Sequence, residues 1–476
     1  MNDKTFNTKN GNDYFYSDKR KSFHYISKGM KAFLDGKNDD DCDYYKRKYD
    51  FLCENGFFDK SNVDLTGMIS KNDLEYNLSN LKLLLFEVTD MCNLSCYYCG
   101  YGSLYDNYDK RAGIKLSFDK AKKMIDYLYL YWKSEKNISY NNVLSVGFYG
   151  GEPLLGFDVM KSIIDYIEDK CKDINFNFSY HITTNAILLD RYMDFLVLKN
   201  FNILVSLDGD KYSNSYRLNK NGDESFDQVM NNVLKLKELY PEYFESKVDF
   251  NAVLHNRNRV YSIYSFFKNN LNKIPRISEL NTHGVSECKK EEFNTIFSNS
   301  TEEFRLSFYK KEISNETLSV NPEVLILNNF ISSFCDNIYK DVKDLCFENQ
   351  KYIPTGTCMP FQRKIFLTVN GKILPCERIG QEKYLGTIDE EAVNIDLDKI
   401  VNSYNRMYEK IKNLCNNCVL IKCCAYCMYF MDYEKKHTCD RFMNLERRYQ
   451  YYSKMISELE NNPILYSEII NNLIVD

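Results

Sequence analysis

Three closely spaced cysteines constrain this chain more than any other feature. The segment from Phe86 to Tyr101 reads FEVTDMCNLSCYYCGY, and it sets Cys92, Cys96 and Cys99 in a C-x3-C-x2-C pattern after an apolar, strand-like run. A four-iron four-sulfur cluster has four irons, so three protein thiolates leave one iron free to take an outside ligand. The segment therefore predicts a metal cluster with one open iron, which is where we place the chemistry.

Two plainer interpretations compete with a cluster. A structural zinc site normally has four closed ligands and paired C-x2-C spacing. A disulfide framework is typical of oxidising compartments, whereas the 17 cysteines of this 476-residue chain are concentrated in a few segments. Residues 1–30 are polar and charged and contain no apolar signal segment. We therefore expect a cytoplasmic protein with metal sites rather than disulfides.

Charge and hydropathy exclude some classes of partner. The formal net charge is -5 and both signs are mixed along the chain. This pattern gives no basic face for nucleic acid or for an anionic membrane. The apolar runs are too short for a membrane-spanning helix. We expect neither a nucleic acid nor a membrane as partner.

The cysteine triplet resembles the signature of radical S-adenosylmethionine (radical SAM) enzymes. Tyr98 lies where that family usually carries an aromatic residue. The resemblance implies that the open iron binds the amino and carboxyl groups of the methionine part of SAM. It also implies that one electron then breaks a carbon–sulfur bond and releases a 5'-deoxyadenosyl radical.

From residue 81 onward, apolar strand-like segments alternate with amphipathic helical ones, which is typical of βαβ units and a parallel sheet. The helical segment from Ser117 to Lys133 has apolar residues at helical spacing. We predict an α/β fold, and the family resemblance implies a partial (β/α)6 barrel. The cysteine loop directly follows the first strand, at the end where parallel barrels carry their active sites. The predicted strands are residues 81–89, 143–150, 176–185, 201–208, 247–255 and 276–284.

The second strand is followed by Gly150, Gly151, Glu152 and Pro153. Two glycines let backbone approach a ligand closely, and a carboxylate accepts hydrogen bonds from an ammonium group. A tight turn is the structural alternative. Beside the cysteine triplet, this GGEP segment resembles the family motif that holds the amino group of SAM.

Later strand ends supply further candidate cofactor contacts. Thr184 and Asn185 follow the third strand, where a helix-capping turn is the alternative. Ser206 and Asp208, two positions apart and thus on one face, match the family's ribose position and are candidates to bond the two ribose hydroxyls. Arg217 is a looser match, for which a solvated surface charge is an equal alternative.

A second cysteine-rich region begins at Cys358. Asn370 and Gly371 form a strong hairpin signal between apolar strands, so the chain should fold back and bring Cys376 towards Cys358. The segment LCNNCVLIKCCAYCMYF follows, and its density of cysteines indicates metal binding. Its cysteines, with one that comes after it, are Cys415, Cys418, Cys423, Cys424, Cys427 and Cys439.

This region resembles the SPASM extension of radical SAM enzymes, which holds two auxiliary clusters. Family pairing implies that the second cluster is held by Cys415, Cys418, Cys424 and Cys439, with Cys423 as an alternative to Cys424. The first is held by Cys358, Cys376 and Cys427. Either Cys346 completes the first cluster, or an iron stays open to bind a substrate thiolate. A zinc ribbon is the alternative, but it leaves the hairpin cysteines without a partner.

The predicted organisation has a small N-terminal module and a C-terminal iron-sulfur SPASM domain around the barrel. In peptide-modifying relatives, the N-terminal module resembles a winged-helix element that grips a leader peptide. The predicted segments are the N-terminal module (1–80), the radical SAM barrel (81–300), a helical bridge (301–350), the SPASM domain (351–445) and a C-terminal helix (446–476).

Together these motifs resemble maturases of ribosomally made, cysteine-rich peptides. The resemblance implies SAM, three 4Fe-4S clusters (one that binds SAM and two auxiliary), a cysteine-rich precursor peptide and a reductant such as flavodoxin or ferredoxin. We expect hydrogen-atom abstraction that ends in a thioether at cysteine. The enzymatic alternatives are carbon–carbon cross-linking, epimerisation and formylglycine formation on a sulfatase. From another class, a non-catalytic iron-sulfur electron carrier or a peptide-binding scaffold is disfavoured by the GGEP and Ser206-x-Asp208 motifs, because neither needs a SAM pocket.

Overall fold

The structure of the chain is a computed structural model. Two of the predicted cluster ligands, Cys346 and Cys423, lie outside the described residues. The residues described are 5–37, 42–59, 65, 67–138, 143–174, 176–309, 322–334, 353–421, 424, 426–431 and 438–472.

Contacts divide the chain into two compact units. We call residues 69–314 and 358–404 the barrel unit, and residues 1–68, 315–357 and 405–476 the terminal unit. The predicted SPASM segment (351–445) is therefore shared between the two units. The predicted N-terminal module, helical bridge and C-terminal helix all contribute residues to the terminal unit.

The strands are β1 (Thr5–Asn7), β2 (Asp13–Ser17), β3 (Ser22–Ile26), β4 (Leu83–Thr89), β5 (Leu94–Cys96), β6 (Val143–Gly150), β7 (Asn177–Thr184), β8 (Asn202–Ser206), β9 (Arg217–Asn219), β10 (Val248–Val253), β11 (Arg276–Ser278), β12 (Lys364–Leu367), β13 (Lys372–Leu374), β14 (Gly386–Ile388) and β15 (Val393–Ile395). The helices are α1 (Lys28–Leu34), α2 (Cys42–Glu54), α3 (Lys71–Ser79), α4 (Phe118–Trp132), α5 (Phe157–Lys170), α6 (Leu189–Leu198), α7 (Phe226–Leu239), α8 (Pro241–Lys247), α9 (Val260–Leu271), α10 (Lys290–Ile296), α11 (Ser300–Tyr309), α12 (Pro322–Phe334), α13 (Leu397–Asn416), α14 (Leu445–Asn461) and α15 (Pro463–Asn472).

The barrel unit is built on a mostly parallel sheet, as the alternation of strands and helices predicted. The strands from β11 to β4 pair in parallel in the order β11-β10-β8-β7-β6-β4. β4 reads LLLFEVT and is almost entirely buried, as expected for a strand covered on both faces. α4 begins after Ser117 and buries its apolar stripe, including Met124 and Leu128. The predicted α/β fold class is confirmed.

The predicted hairpin is also present, but it extends the barrel sheet. β12 and β13 pair antiparallel on either side of Asn370 and Gly371. β12 also pairs in parallel with β4, with Lys364 opposite Leu83, and β14 and β15 continue the sheet beyond β13. The hairpin thus belongs to the barrel unit, whereas the predicted boundaries place it in the C-terminal domain. Local sequence patterns do not reveal the pairing of β12 with β4, because the two strands are far apart in the chain.

The terminal unit joins distant parts of the chain in one apolar core. β1, β2 and β3 form an antiparallel sheet. Side chains alternate across a strand, so Phe15 packs with Met30 of α1 on one face, while Tyr16 packs with α12 and α14 on the other. The core on this second face includes Phe330 and Tyr452. Within the described part of the chain, no helix is both long and apolar enough to cross a membrane.

Replacing Phe330 with Ala should destabilise the terminal unit. Phe330 is fully buried, with its ring centroid 5.3 Å from that of Phe23 and 6.0 Å from that of Tyr452. Loss of a buried aromatic ring costs about 3–5 kcal/mol, which denaturant unfolding would measure. Leu325→Ala on the same helix is the control, because Leu325 is 44% exposed and its loss should change stability by less than about 0.5 kcal/mol. Equal effects of the two substitutions would contradict the shared core.

Candidate active site

A cavity of about 380 Å³ opens where the barrel strands end. The carboxyl ends of neighbouring parallel strands meet at one edge, which explains why residues far apart in sequence share this wall. Three of the residues predicted to contact SAM do not line the cavity: Glu152, Pro153 and Asp208. The predicted residues that line it are Cys92, Cys96, Tyr98, Cys99, Gly150, Gly151, Thr184, Asn185, Ser206 and Arg217.

The cysteine loop is held by backbone pairing and by one acidic side chain. β5 pairs antiparallel with β9, which sets Cys96 opposite Arg217. The Asp90 carboxylate accepts hydrogen bonds from the backbone N–H groups of Ala112, at 2.6 Å, and Ile114, at 2.8 Å. These contacts close the loop that contains the three cysteines.

The three cysteines line one cavity, and bound iron would offset the cost of ionising thiols that are partly buried. Burial raises the pKa of Cys96 to about 12 and also raises that of Cys92, so their thiolates need a nearby positive charge. The sulfur atoms already receive donors: Leu94 N–H lies 3.4 Å from Cys92 Sγ, and Arg111 Nη2 lies 3.4 Å from Cys99 Sγ. Iron would supply the missing charge.

The GGEP turn packs against the backbone that leads into Cys92. A Cβ atom on Gly150 would lie 2.1 Å from the Thr89 carbonyl oxygen, and one on Gly151 would lie 2.0 Å from that of Met91. Gly151 N–H donates to Thr89 O at 2.9 Å, and Glu152 N–H donates to Met91 O at 2.8 Å. The two glycines predict close approach of backbone to a ligand. In the structure, the close approach that excludes a side chain is to the chain itself.

Glu152 joins the ends of β6 and β7. It is fully buried, and its carboxylate accepts hydrogen bonds from Thr184 Oγ1 and Asn185 N–H, both at 2.7 Å, and from Leu154 N–H at 3.1 Å. Burial raises its pKa to about 7 although these bonds favour the carboxylate. Pro153 starts the short 3-10 turn that follows. A contact between Glu152 and an ammonium group stays a prediction.

Thr184 and Asn185 both line the cavity and shape a turn. Thr184 Oγ1 accepts a hydrogen bond from Ala186 N–H at 3.0 Å, and Asn185 Oδ1 accepts one from Ile187 N–H at 3.1 Å. Asn185 Nδ2 also lies 3.7 Å from Cys92 Sγ. The helix-capping alternative is wrong, because the N-cap position of α6 is Leu188. The two side chains instead stabilise the turn after β7, and Asn185 also contacts the cysteine loop.

Asp208 and Arg217 form a buried ion pair behind the cysteine loop. Arg217 Nε donates to Asp208 Oδ2 at 3.0 Å and Nη2 donates to Oδ1 at 2.9 Å. The Tyr98 hydroxyl and Val253 N–H donate to the same carboxylate, and His255 Nε2 lies 3.7 Å from it. Burial opposes the charge, but the guanidinium and the donors lower the pKa of Asp208 to about 2.

Arg217 is a buried side chain of the cavity wall. Its side chain is buried, so the alternative of a solvated surface charge is wrong. Asp208 has protein partners on both oxygens and does not line the cavity, whereas Ser206 does. The predicted bond between Asp208 and a ribose hydroxyl therefore stays a prediction.

Several cavity residues were missed in the sequence. Arg111 and Tyr101 come from the polar loop after Cys99, and no local pattern marks them. Glu377 follows Cys376 directly, so the position of the hairpin relative to the triplet is what reveals it. The Glu377 carboxylate pairs with Lys364 Nζ at 2.8 Å. The remaining missed residues include Tyr108, Tyr149 and Lys220.

A second cavity, of about 230 Å³, lies in the terminal unit. It is lined by Cys415, Cys418, Cys424 and Cys439, which are the cysteines expected at the second auxiliary cluster. Burial raises the pKa of Cys415 to about 11. Among the described side chains, no three of His, Cys, Asp or Glu converge closely enough to hold a single metal ion.

The cysteines expected at the first auxiliary cluster are divided between the units. Cys358, which is exposed, and Cys376, which is half-buried, belong to the barrel unit. Cys427, also half-buried, belongs to the terminal unit and does not line the second cavity. This ligand set stays a prediction.

Residues 86–260, which contain the triplet and every strand-end residue named above, match the model of the Radical SAM superfamily. The chain contains a radical SAM domain. Members of this superfamily use SAM and a 4Fe-4S cluster.

The chain is similar to a radical SAM cyclopropyl synthase and to sulfatase-maturating enzymes. TigE, a radical SAM cyclopropyl synthase of Paramaledivibacter caminithermalis, is 24% identical over 385 residues, which are 77% of this chain and 74% of that protein. A cysteine-type anaerobic sulfatase-maturating enzyme of Clostridium novyi is 28% identical over 195 residues, which are 40% of this chain and 49% of that enzyme. The chain thus spans about half the length of the sulfatase-maturating relative.

A solved structure shares the fold. Native anSMEcpe with bound AdoMet and Cp18Cys peptide superposes with a TM-score of 0.53 at 19% identity, over 83% of this chain and 100% of that chain. At this level of identity the likeness concerns the fold.

Replacing Glu152 with Gln should change how the stability of the radical SAM domain depends on pH. Folding raises the pKa of Glu152 from 4.5 to about 7, so the folded state binds the proton more tightly than the unfolded state does. The contribution of Glu152 to stability should therefore fall as the pH rises from about 4.5 to about 7, by roughly 3 kcal/mol at most. The variant should lose this contribution and keep that of Glu87, whose pKa burial also raises to about 7. Unfolding of the metal-free proteins at about pH 5 and about pH 8 would measure the difference.

The amide nitrogen that Glu152→Gln introduces cannot accept the Asn185 N–H bond, so the variant should be less stable than the wild type at about pH 5. The difference should shrink at about pH 8, where the wild type bears the cost of a buried charge. Glu287→Gln is the matched control, because that side chain is 85% exposed. Parallel pH profiles for wild type and Glu152→Gln would contradict this assignment.

Proposed function

We propose that the chain is a radical SAM enzyme that modifies a ribosomally made peptide. The observation that carries the proposal is the convergence of three cysteines, two glycines and the polar ends of β7 and β8 on one cavity. An electron carrier or a peptide-binding scaffold needs a cluster or a groove, but neither needs this adjoining wall. The likeness to an enzyme that matures a sulfatase supports a peptide or protein substrate.

In this proposal Cys92, Cys96 and Cys99 hold a 4Fe-4S cluster, and SAM occupies the adjoining cavity. Together the two supply a 5'-deoxyadenosyl radical when one electron is delivered. Gly150 and Gly151 form a side-chain-free wall, and Ser206 offers a hydroxyl at the end of β8.

The buried Tyr98–Asp208–Arg217 network keeps the loop in place while the substrate reacts. Because these groups are buried and already bonded to each other, they position the site without competing for substrate.

Two auxiliary 4Fe-4S clusters complete the proposal. Cys415, Cys418, Cys424 and Cys439 share a cavity, which supports the second. For the first, Cys376 is followed by Glu377, which lines the cavity of the triplet. The hairpin therefore brings this motif to the same part of the barrel unit. A reductant such as flavodoxin or ferredoxin would deliver electrons.

We place recognition of a precursor peptide in the N-terminal sheet. β3 lies at the edge of this sheet, where an extended peptide can add as a further strand, and Tyr25 of β3 is largely exposed. Phe6, Tyr16 and Phe23 belong to the core shared with α12 and α14. Point substitutions on β3 therefore test binding more cleanly than deletion of residues 1–80.

We propose a thioether at cysteine as the product, with formylglycine formation on a sulfatase as the second candidate. The likeness to the cysteine-type sulfatase-maturating enzyme favours the second candidate. A thioether removes two hydrogens and consumes a thiol, whereas a carbon–carbon link leaves the thiol free, epimerisation leaves the mass unchanged and formylglycine formation removes the cysteine sulfur. Mass spectrometry with thiol alkylation of a cysteine-containing substrate peptide distinguishes the products that change the peptide, and a reaction run in D2O reveals epimerisation by incorporation of deuterium.

Replacing Cys96 with Ala should abolish release of 5'-deoxyadenosine from SAM. The substitution removes one of three thiolates, so the cluster and its open iron are lost. Chromatography of reactions run without oxygen under a strong reductant measures the release. Cys288→Ala is the control, because Cys288 is exposed and lies outside both cavities, and it should retain wild-type release. Undiminished release by Cys96→Ala would remove the triplet from this role, and no release by the wild type would favour the electron carrier.

Reconstituted wild-type protein should contain about twelve irons, four for each of three clusters. Cys415→Ala/Cys418→Ala should contain about eight, because the second cavity loses two of its four thiols. Iron and zinc analysis of both proteins checks this. Stoichiometric zinc in the wild type that disappears in the double variant would support the zinc ribbon instead.

A further inference from the structure

Arg111 touches the sulfur of a predicted cluster ligand. Its Nη2 lies 3.4 Å from Cys99 Sγ, and its guanidinium carbon lies 4.7 Å from the centroid of the Tyr101 ring. The next residue, Ala112, is fixed by the 2.6 Å bond from its N–H to Asp90. The guanidinium is thus held against the sulfur by its backbone on one side and by an aromatic face on the other.

A polar chain continues from Tyr101 to the hairpin. The Tyr101 hydroxyl is hydrogen-bonded to the carboxylate of Glu87, a buried residue of β4. Glu87 Oε2 accepts a second hydrogen bond from Val369 N–H at 3.0 Å. Glu87 therefore fixes the ring over which Arg111 lies, and it ties that ring to the turn between β12 and β13.

The two arginines that line the cavity differ in the hydrogen-bond partners of their guanidinium groups. Arg217 is bound at two points by Asp208. The Nε atom of Arg111, by contrast, is buried with no hydrogen-bond partner among the described residues. A positive charge that is not neutralised by a bidentate carboxylate acts more strongly on its surroundings in a water-poor site. The nearest sulfur to receive that effect is Cys99 Sγ.

We propose that Arg111 raises the reduction potential of the cluster held by Cys92, Cys96 and Cys99. Hydrogen bonds to cluster sulfurs and local positive charge stabilise the reduced, more negative state. Tyr101 and Glu87 contribute by holding the guanidinium in place. The inference rests on the proposed function, because it requires a cluster at the triplet.

The experiment is a redox titration followed by electron paramagnetic resonance, on reconstituted full-length protein without SAM. The signal that is present in wild type and missing in Cys96→Ala identifies the cluster at the triplet. In Arg111→Gln, the equilibrium constant for reduction of this cluster should be about tenfold lower than in wild type. This corresponds to a fall of about 59 mV in the reduction potential for a one-electron couple. Arg111→Lys keeps the charge but loses the planar guanidinium, so its potential should lie between those of wild type and Arg111→Gln. Tyr101→Phe, which removes the hydroxyl that holds the ring and leaves every formal charge in place, should give a smaller fall in the same direction.

Arg257→Gln is the matched control. Arg257 also lies over a tyrosine ring, at 3.8 Å from the centroid of Tyr216, but its side chain bonds Ser215 instead of a cysteine sulfur. This variant should keep the wild-type potential. Iron content equal to wild type in each variant shows that the cluster has been retained.

Three results would decide against the proposal in different ways. An unchanged potential in Arg111→Gln overturns the tuning role. An unchanged potential together with weakened SAM binding, measured by calorimetry, assigns Arg111 to the SAM carboxylate instead. A wild-type protein with no signal that depends on Cys96 overturns the proposed function itself, because no cluster then exists for Arg111 to tune.

Discussion

The site depends on the contact between the GGEP turn and the backbone that leads into Cys92. Gly150 and Gly151 approach the carbonyl oxygens of Thr89 and Met91 so closely that a side chain at either position would displace one of the two segments. Two backbone hydrogen bonds, from Gly151 and Glu152, fix the register of this contact. The start of the cysteine loop is therefore set by the end of β6, and the glycines serve the fold before they serve any ligand.

The other end of the loop is held by charge. Tyr98 and the strand that carries Arg217 both converge on the buried carboxylate of Asp208. A buried carboxylate is tolerated only when it is paired and fully hydrogen-bonded, and here Val253 N–H completes the set. Removal of either partner would leave an unpaired charge behind the cavity wall. The ion pair therefore makes the position of the loop depend on β8, β9 and β10 together.

Local patterns in the sequence predicted the parallel strands of the sheet and about half of the residues that line the cavity. The strands, the helix from Phe118 to Trp132 and the turn at Asn370 are local features, and parallel pairing brings Thr184, Asn185 and Ser206 to one edge. What sequence did not predict depends on contacts between distant segments. Arg111 acquires its position from Asp90, and Glu87 looks like an ordinary strand residue until Val369 is placed beside it. The partners of Asp208 were missed for the same reason.

The pairing of β12 with β4 has a consequence for how the two cysteine motifs are related. β4 leads into the triplet, and the hairpin built on β12 leads into Cys376. Because the two strands are neighbours in one sheet, the spacing between these motifs is set by backbone hydrogen bonds and not by a flexible linker. Glu87 reinforces the same relation, since its carboxylate joins Tyr101 after the triplet to Val369 in the hairpin turn. A shift of the hairpin would therefore move Tyr101, and with it the guanidinium that lies against Cys99.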